Sequence, residues 1–286
     1  MPAIFILLHW KRQQRVLLRN LAKLKGLQEV KAIHDLRVAI KKLRSYLKLL
    51  TILLNDGKET DFEKTEQLFS VLGKHRDIEM GLLLLQSLEK ENKMTYAAFR
   101  MQLKVALQTT EIWVQNALNK YDEKGLADLT TELQQYLKEK NNQALLDKTG
   151  IALTKELKKL KRLTRHFEAH PHEIRKMLKN VFYWISICPK DFLIGAVQVS
   201  KLKKSLNHLG DWQDHEMLYR KIKHFRKDFI PDSREEYLLL KELEKSIKSK
   251  MGAKLQKAEK EIKAFISNIA TLPGSGTSFA ELHQKN

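Results

Sequence analysis

A single cysteine, Cys188, excludes an intramolecular disulfide and fits a reducing compartment. Only five prolines and eleven glycines interrupt the 286 residues, and Leu and Lys are abundant, a balance that favours long helices. No apolar run approaches the ~18 residues of a membrane span. The apolar start, Ile4 to Leu8, lacks the charged flank of a signal peptide and is too short for one. The expectation is a soluble, cytoplasmic protein that does not engage membranes, since no exposed amphipathic anchor stands out. Acids are scarce too: 34 Asp and Glu against 53 Lys and Arg, a formal net charge of +19. Such a surplus gathers polyanions without choosing among nucleic acid, anionic membrane and polyphosphate. Signatures of common chemistry are missing as well. The chain has no Gly-x-x-x-x-Gly-Lys-Ser/Thr loop, no His-Glu-x-x-His, no zinc-finger spacing and no compact helix-turn-helix pattern.

What is present is helical periodicity, with 43% apolar residues to build a core. It predicts helices at 3–25, 29–54, 60–73, 76–120, 125–140, 143–168, 172–187, 191–209, 212–227 and 233–269, and no strand. Breaks are expected at Asn55-Asp56-Gly57, Lys124-Gly125, His170-Pro171, Cys188-Pro189 and Pro231-Asp232, and a flexible tail over 271–286. Trp113, Trp184 and Trp212 sit in apolar settings that read as core.

An internal repeat organises the chain. His34-Asp-Leu-Arg37-x-x-x-Lys41 recurs as His172-Glu-Ile-Arg175-x-x-x-Lys179. Leu72-Gly73 followed by Arg76-Asp77 recurs as Leu209-Gly210 followed by Gln213-Asp214. Ahead of each copy, Arg12, Arg15, Arg19 and Lys23 share their spacing with Lys155, Lys158, Arg162 and His166. Three elements matching in order indicate two related helical halves, about 1–122 and 143–270.

Charge follows the repeat. Residues 11–50 carry a net of +10 and 153–190 a net of +7, while 51–98 carry −3. On a helix, His34, Arg37, Lys41, Arg44 and Lys48 fall within an ~80° arc beside an apolar arc of Ile33, Leu36, Ile40, Leu43, Leu47 and Leu50. His172, Arg175, Lys179 and Tyr183 share a face in the second copy, and Lys201, Lys204 and His208 form one more stripe. Like charges stacked at this spacing repel. Acids four residues away that could neutralise them are scarce, which points to an anionic ligand over a merely solvated face.

The sequence His34-Asp-Leu-Arg37-Val-Ala-Ile-Lys41-Lys42-Leu-Arg44, then Leu72-Gly73-Lys-His-Arg76-Asp77, with both motifs duplicated, resembles the CHAD family, the conserved histidine α-helical domain. The resemblance covers roughly residues 5–270. It implies an all-α fold of two pseudo-symmetric antiparallel four-helix-type bundles with a central basic groove that binds inorganic polyphosphate. It also implies association with polyphosphate granules, with no catalysis and no cofactor. Phe182 stands where the family's second copy often has a base, and Gln213 stands opposite Arg76, so the second half is expected to hold ligand more weakly. The 286 residues show no β-strand run of the kind that the triphosphate-tunnel domain of many relatives needs, so no such domain is expected within them.

The expected ligand set is the ridge residues with Arg12, Arg15, Arg19, Lys42, Arg76, Lys155, Lys158, Arg162, Lys201 and Lys204. Affinity for a chain without bases comes from many cations meeting evenly spaced phosphates. His34 and His172 either contact phosphate or hydrogen-bond Asp77 and Asp214, and both roles are compatible. Non-specific nucleic-acid binding is the alternative, disfavoured by few aromatics beside the stripes for bases to stack on. A metal-dependent phosphohydrolase built on His34, Asp77, His172 and Asp214 ranks lower, because the basic ridges repel a divalent cation.

Overall fold

In the computed structural model, which describes residues 4–26, 30–54, 62–189 and 195–270, the described chain is α-helical with no strand. The helices are α1 Ile4–Lys25, α2 Val30–Leu54, α3 Glu63–Asn92, α4 Ala97–Lys120, α5 Lys124–Lys138, α6 Asn142–Leu163, α7 Pro171–Ile185, α8 Ala196–Phe229 and α9 Glu235–Ala270. A 3-10 turn, Thr164–Ala169, joins α6 to α7. The expected break at Asn55-Asp56-Gly57 and the expected tail lie outside the described residues.

Boundaries form where local chemistry demands. Asn141 caps α6, its side chain accepting from the backbone N–H of Gln143 and Ala144 at 2.8 and 3.3 Å. Pro171 opens α7 at the first helical position, where its missing N–H costs nothing. Three expectations are corrected. The gaps foreseen at 74–75 and 210–211 do not exist, because α3 and α8 run through Gly73 and Gly210. A lone helical glycine costs only about 1 kcal/mol, which packing overrides. Conversely, the single helix expected over 76–120 is broken after Asn92. Lys93 takes a left-handed φ of 51° and the Met94 N–H donates to Glu89 O at 3.0 Å, the 6→1 bond of a Schellman cap. The buried Glu89 carboxylate then accepts the Tyr96 N–H at 2.9 Å. Nothing in Asn92-Lys93-Met94 advertises this, since glycine usually holds that position. Lys93→Gly should therefore stabilise the protein by about 0.5–1 kcal/mol, the left-handed penalty less the entropy glycine gains in the unfolded chain. Urea unfolding would measure it, and an unchanged or lower midpoint contradicts the cap. Finally, α6 ends at Leu163 and the backbone kinks at His166 (φ −122°, ψ 54°), so His166 leaves the stripe of Lys155, Lys158 and Arg162.

The chain packs as two compact units. The first gathers Met1–Glu66, Tyr121–Leu206 and Glu259–Asn286, and the second Gln67–Lys120 and Asn207–Ala258. Each draws segments from both sides of the join between the repeat halves, and α3, α8 and α9 each contribute to both. The first unit buries Trp10, Leu17 and Leu21 of α1, Leu36, Ile40 and Leu43 of α2, and Ile174, Leu178 and Trp184 of α7. The apolar arcs foreseen on α2 and α7 are thus the ones buried. The second unit is cored by Leu85 and Leu88, Phe99 and Leu103, Leu218 and Phe225, and Leu240 and Ile247. Trp184 and Trp212 are core, but Trp113 is 47% exposed, against expectation. Its ring lies 5.7 Å from the Lys74 ammonium of α3, a contact that helps keep an indole at the surface.

Candidate functional site

The first-copy and second-copy histidine helices pack directly on each other within the first unit. The Trp184 indole N–H of α7 donates to the Ser45 carbonyl of α2 at 2.8 Å. Ser45 Oγ donates to Asn180 Oδ1 at 3.1 Å. Helix α1 lies against α2 and is fixed from its other side by α5, where the buried Trp10 Nε1 donates to Thr130 Oγ1 at 2.9 Å. Between α1, α2 and α7 this leaves a cleft of about 420 Å³. His9, Arg12, Gln13 and Val16 line it from α1, Asp35, Val38, Ala39, Lys42 and Tyr46 from α2, and Phe182, Tyr183 and Ser186 from α7.

Spacing explains the lining. His9, Arg12 and Val16 are three and four residues apart, as are Asp35, Val38, Lys42 and Tyr46. The cleft face of α2 is centred about 130° around the helix from the ridge of His34, Arg37, Lys41, Arg44 and Lys48. Of the expected ligand residues, the structure thus brings Arg12, Lys42 and Tyr183 into one recess. Arg175 is near enough for its charge to act on the Tyr183 phenol.

The α2 ridge faces elsewhere. Arg44 Nε meets Glu66 at 2.6 Å, and Lys48 meets the buried Glu156 of α6 at 2.9 Å while its ammonium sits 5.6 Å from the Trp184 ring. Arg76, in the second unit, meets Glu79 at 2.5 Å on its own helix, and Lys204 lies 3.8 Å from Glu261. Arg15, Arg19, Lys155, Lys158, Arg162 and Lys201 are exposed on α1, α6 and α8 of the first unit. Arg37, Lys41 and Lys179 are half-buried, as is His172, while His34 is exposed. Asp77 and Asp214 belong to the second unit, where Asp77, Lys74, Trp113 and Lys221 line a separate cleft of about 470 Å³.

Electrostatics sets the α1–α2–α7 recess apart. Burial lowers the Lys42 pKa and Arg12 lowers it further, so a half-buried ammonium is held beside an exposed guanidinium. Burial, then Arg12 and Lys42, likewise lowers the His9 pKa. Burial raises the pKa of both phenols, Tyr46 and Tyr183, which keeps them neutral hydroxyl donors. An anion that accepts from Arg12, Lys42 and a tyrosine O–H would relieve the repulsion. His9 and Asp35 were missed by sequence reasoning. His9 had a signal, since it extends the Arg12, Arg15, Arg19 stripe by one turn.

Among the described residues no three His, Cys, Asp or Glu side chains gather in a way that could hold a metal ion, and no helix is long and apolar enough to cross a membrane. The family model of the CHAD domain matches residues 9–222. Among solved structures, the crystal structure of the CHAD domain from the plant Ricinus communis aligns with a TM-score of 0.69 at 14% identity, covering 96% of this chain and 93% of that one. At that identity the likeness concerns the fold. No curated protein matches.

Proposed function

The chain belongs to the CHAD domain family, and from that premise we propose that it binds inorganic polyphosphate on the first unit without turning it over. The observation that carries this reading is the recess lined together by the exposed Arg12, the half-buried Lys42 and the phenols of Tyr46 and Tyr183. Point cations and hydroxyl donors suit phosphate oxygens, and Arg adds a planar two-pronged contact. The recess is the anchor. The exposed cations of α1, α2, α6 and α7 extend the contact along a chain far longer than the recess. Binding of this kind would place the protein on polyphosphate granules.

A nucleic acid could follow the same cations through its phosphates, but bases would find little to stack on. Tyr46 is buried, and Phe182 and Tyr183 are partly so. Titration at physiological salt with polyphosphate of tens of units, beside charge-matched duplex DNA and single-stranded RNA, decides the matter. Polyphosphate should bind at least roughly tenfold more tightly, a difference of about 1.4 kcal/mol. Equal or tighter binding of DNA or RNA overturns the reading. Orthophosphate release with Mg²⁺ or Mn²⁺, abolished by Arg12→Ala, would show an enzyme instead.

A further inference from the structure

Resting on the polyphosphate reading of the same recess, we propose that His9 is a phosphate-binding residue that engages by taking up a proton as the polyanion enters. His9 lies one turn before Arg12 on α1 and opens into the recess between the three helices. The charged and titratable groups that face it are Arg12 on its own helix, Asp35, Lys42 and Tyr46 on α2, and Tyr183 on α7. On the other side of α1, α5 meets it through Thr130 and Gln134, neither of which ionises.

Without ligand, three effects oppose a proton on His9: burial first, then the charges of Arg12 and Lys42. The imidazole is therefore held below its ordinary pKa of 6.5 and is neutral at neutral pH. A phosphate chain held by Arg12 and Lys42 cancels the two charges that repel the proton and adds negative charge beside the ring. Both changes favour imidazolium, which becomes a third cation on the ligand. The tyrosines do not compete for this proton, because burial keeps both phenols protonated throughout the range. The internal phosphates of the ligand are strong acids and keep their charge between about pH 6 and about pH 8, so protein groups set the pH dependence there. Asp35 adds a carboxylate to the recess, but it is the two cations that act on His9.

The coupling is reciprocal. If binding raises the affinity of His9 for a proton, protonation raises the affinity for the chain by the same factor. One such group can change affinity by up to about tenfold per pH unit across the window between its ligand-free and bound pKa values.

The test is calorimetry on the full chain with long-chain polyphosphate, run in buffers of different ionisation enthalpy to count protons, with Kd followed from about pH 6 to about pH 8. The wild type should take up roughly half to one proton near neutrality and bind roughly tenfold more tightly at the acid end. His9→Gln should still bind through Arg12 and Lys42, lose most of the uptake, and vary in Kd by less than about twofold across the range. His9→Lys, a permanent cation, should bind at the alkaline end about as tightly as the wild type does at the acid end. Unchanged uptake in His9→Gln, or its loss in His34→Gln or His172→Gln instead, overturns the assignment while the recess stands. So does wild-type binding with no proton uptake. If the wild type fails to bind polyphosphate at any pH, the underlying reading falls and this one with it. Circular dichroism of each variant excludes a folding loss as the cause.

Discussion

Replacing Arg12 and Lys42 together with alanine is expected to weaken polyphosphate binding roughly 100-fold at physiological salt, about 3 kcal/mol for two charge-assisted contacts in a half-enclosed recess. The slope of log affinity against log salt should fall by a little under two, if each phosphate contact releases about 0.7–0.9 counterion as it does on nucleic acid. Folding should not suffer. Alanine is a good helix former, and the pair removed is one whose charges oppose each other. Arg37→Ala with Lys41→Ala removes the same charge from the neighbouring ridge of α2, which faces away from the recess and its phenols, and should cost about tenfold. Lys90→Ala with Lys104→Ala, exposed on α3 and α4 of the second unit, should change affinity less than about twofold. Fluorescence anisotropy with end-labelled polyphosphate over a salt series reads all three. A larger loss from the ridge pair than from the recess pair moves the site to the ridge. Equal losses from all three leave only a diffuse effect of the +19 charge.

The largest expected effect on stability is in the second unit. Arg226 of α8 and Glu244 of α9 are both buried, with Arg226 Nε to Glu244 Oε1 at 2.5 Å and Nη2 to Oε2 at 3.3 Å. The guanidinium also lies 4.4 Å from the Tyr237 ring centroid. Arg226→Ala strands a carboxylate in the core and should cost about 3–5 kcal/mol. At about 2–4 °C per kcal/mol, the thermal midpoint should drop by roughly 6–20 °C. The double change Arg226→Met with Glu244→Leu keeps volume and removes both charges, so it should recover most of the loss or exceed the wild type. Differential scanning calorimetry of the three proteins checks this, and a double variant as unstable as the single one argues against charge burial as the cause. Neither residue belongs to the first unit, so polyphosphate affinity at low temperature should not move.

Periodicity made much of this molecule legible, and its limits are equally physical. The apolar arcs of α2 and α7 were readable because burial selects residues three and four apart. A stripe tells which side chains share a face, but not which face a neighbouring helix leaves open. The sequence therefore offers the five-residue ridge of α2 and Lys42 alike as ligands, and only the packing of α1 and α7 shows that Lys42, one position from Lys41, lines the recess. The partners of Arg44 and Lys48 could not be read locally either. Glu66 and Glu156 come from α3 and α6, 22 and 108 residues away along the chain, far beyond the one helical turn over which a sequence shows its ion pairs. Trp113 escapes burial for a related reason: apolar neighbours in sequence imply a buried indole only if the adjoining helices close over it, and here α3, α4 and α8 leave a cleft. The cap at Lys93 was hidden because a lysine occupies a backbone conformation that normally announces itself as glycine.

The interleaving of the two units has a consequence for synthesis. The first unit needs three separate stretches and the second needs two, with the second complete only once Ala258 has emerged and the first only with the stretch beginning at Glu259. A ribosome that has released residues 1–122 has delivered half of the sequence repeat but neither core, and the 86 residues from Tyr121 to Leu206 must be spanned before the second unit can close. Assembly is thus governed by contacts distant along the chain, which slows folding relative to a helical protein of local contacts and leaves apolar faces uncovered while translation proceeds. Residues 1–122 and 143–270 each supply segments to both units, so the two stretches cannot be separated from each other without dividing both interiors.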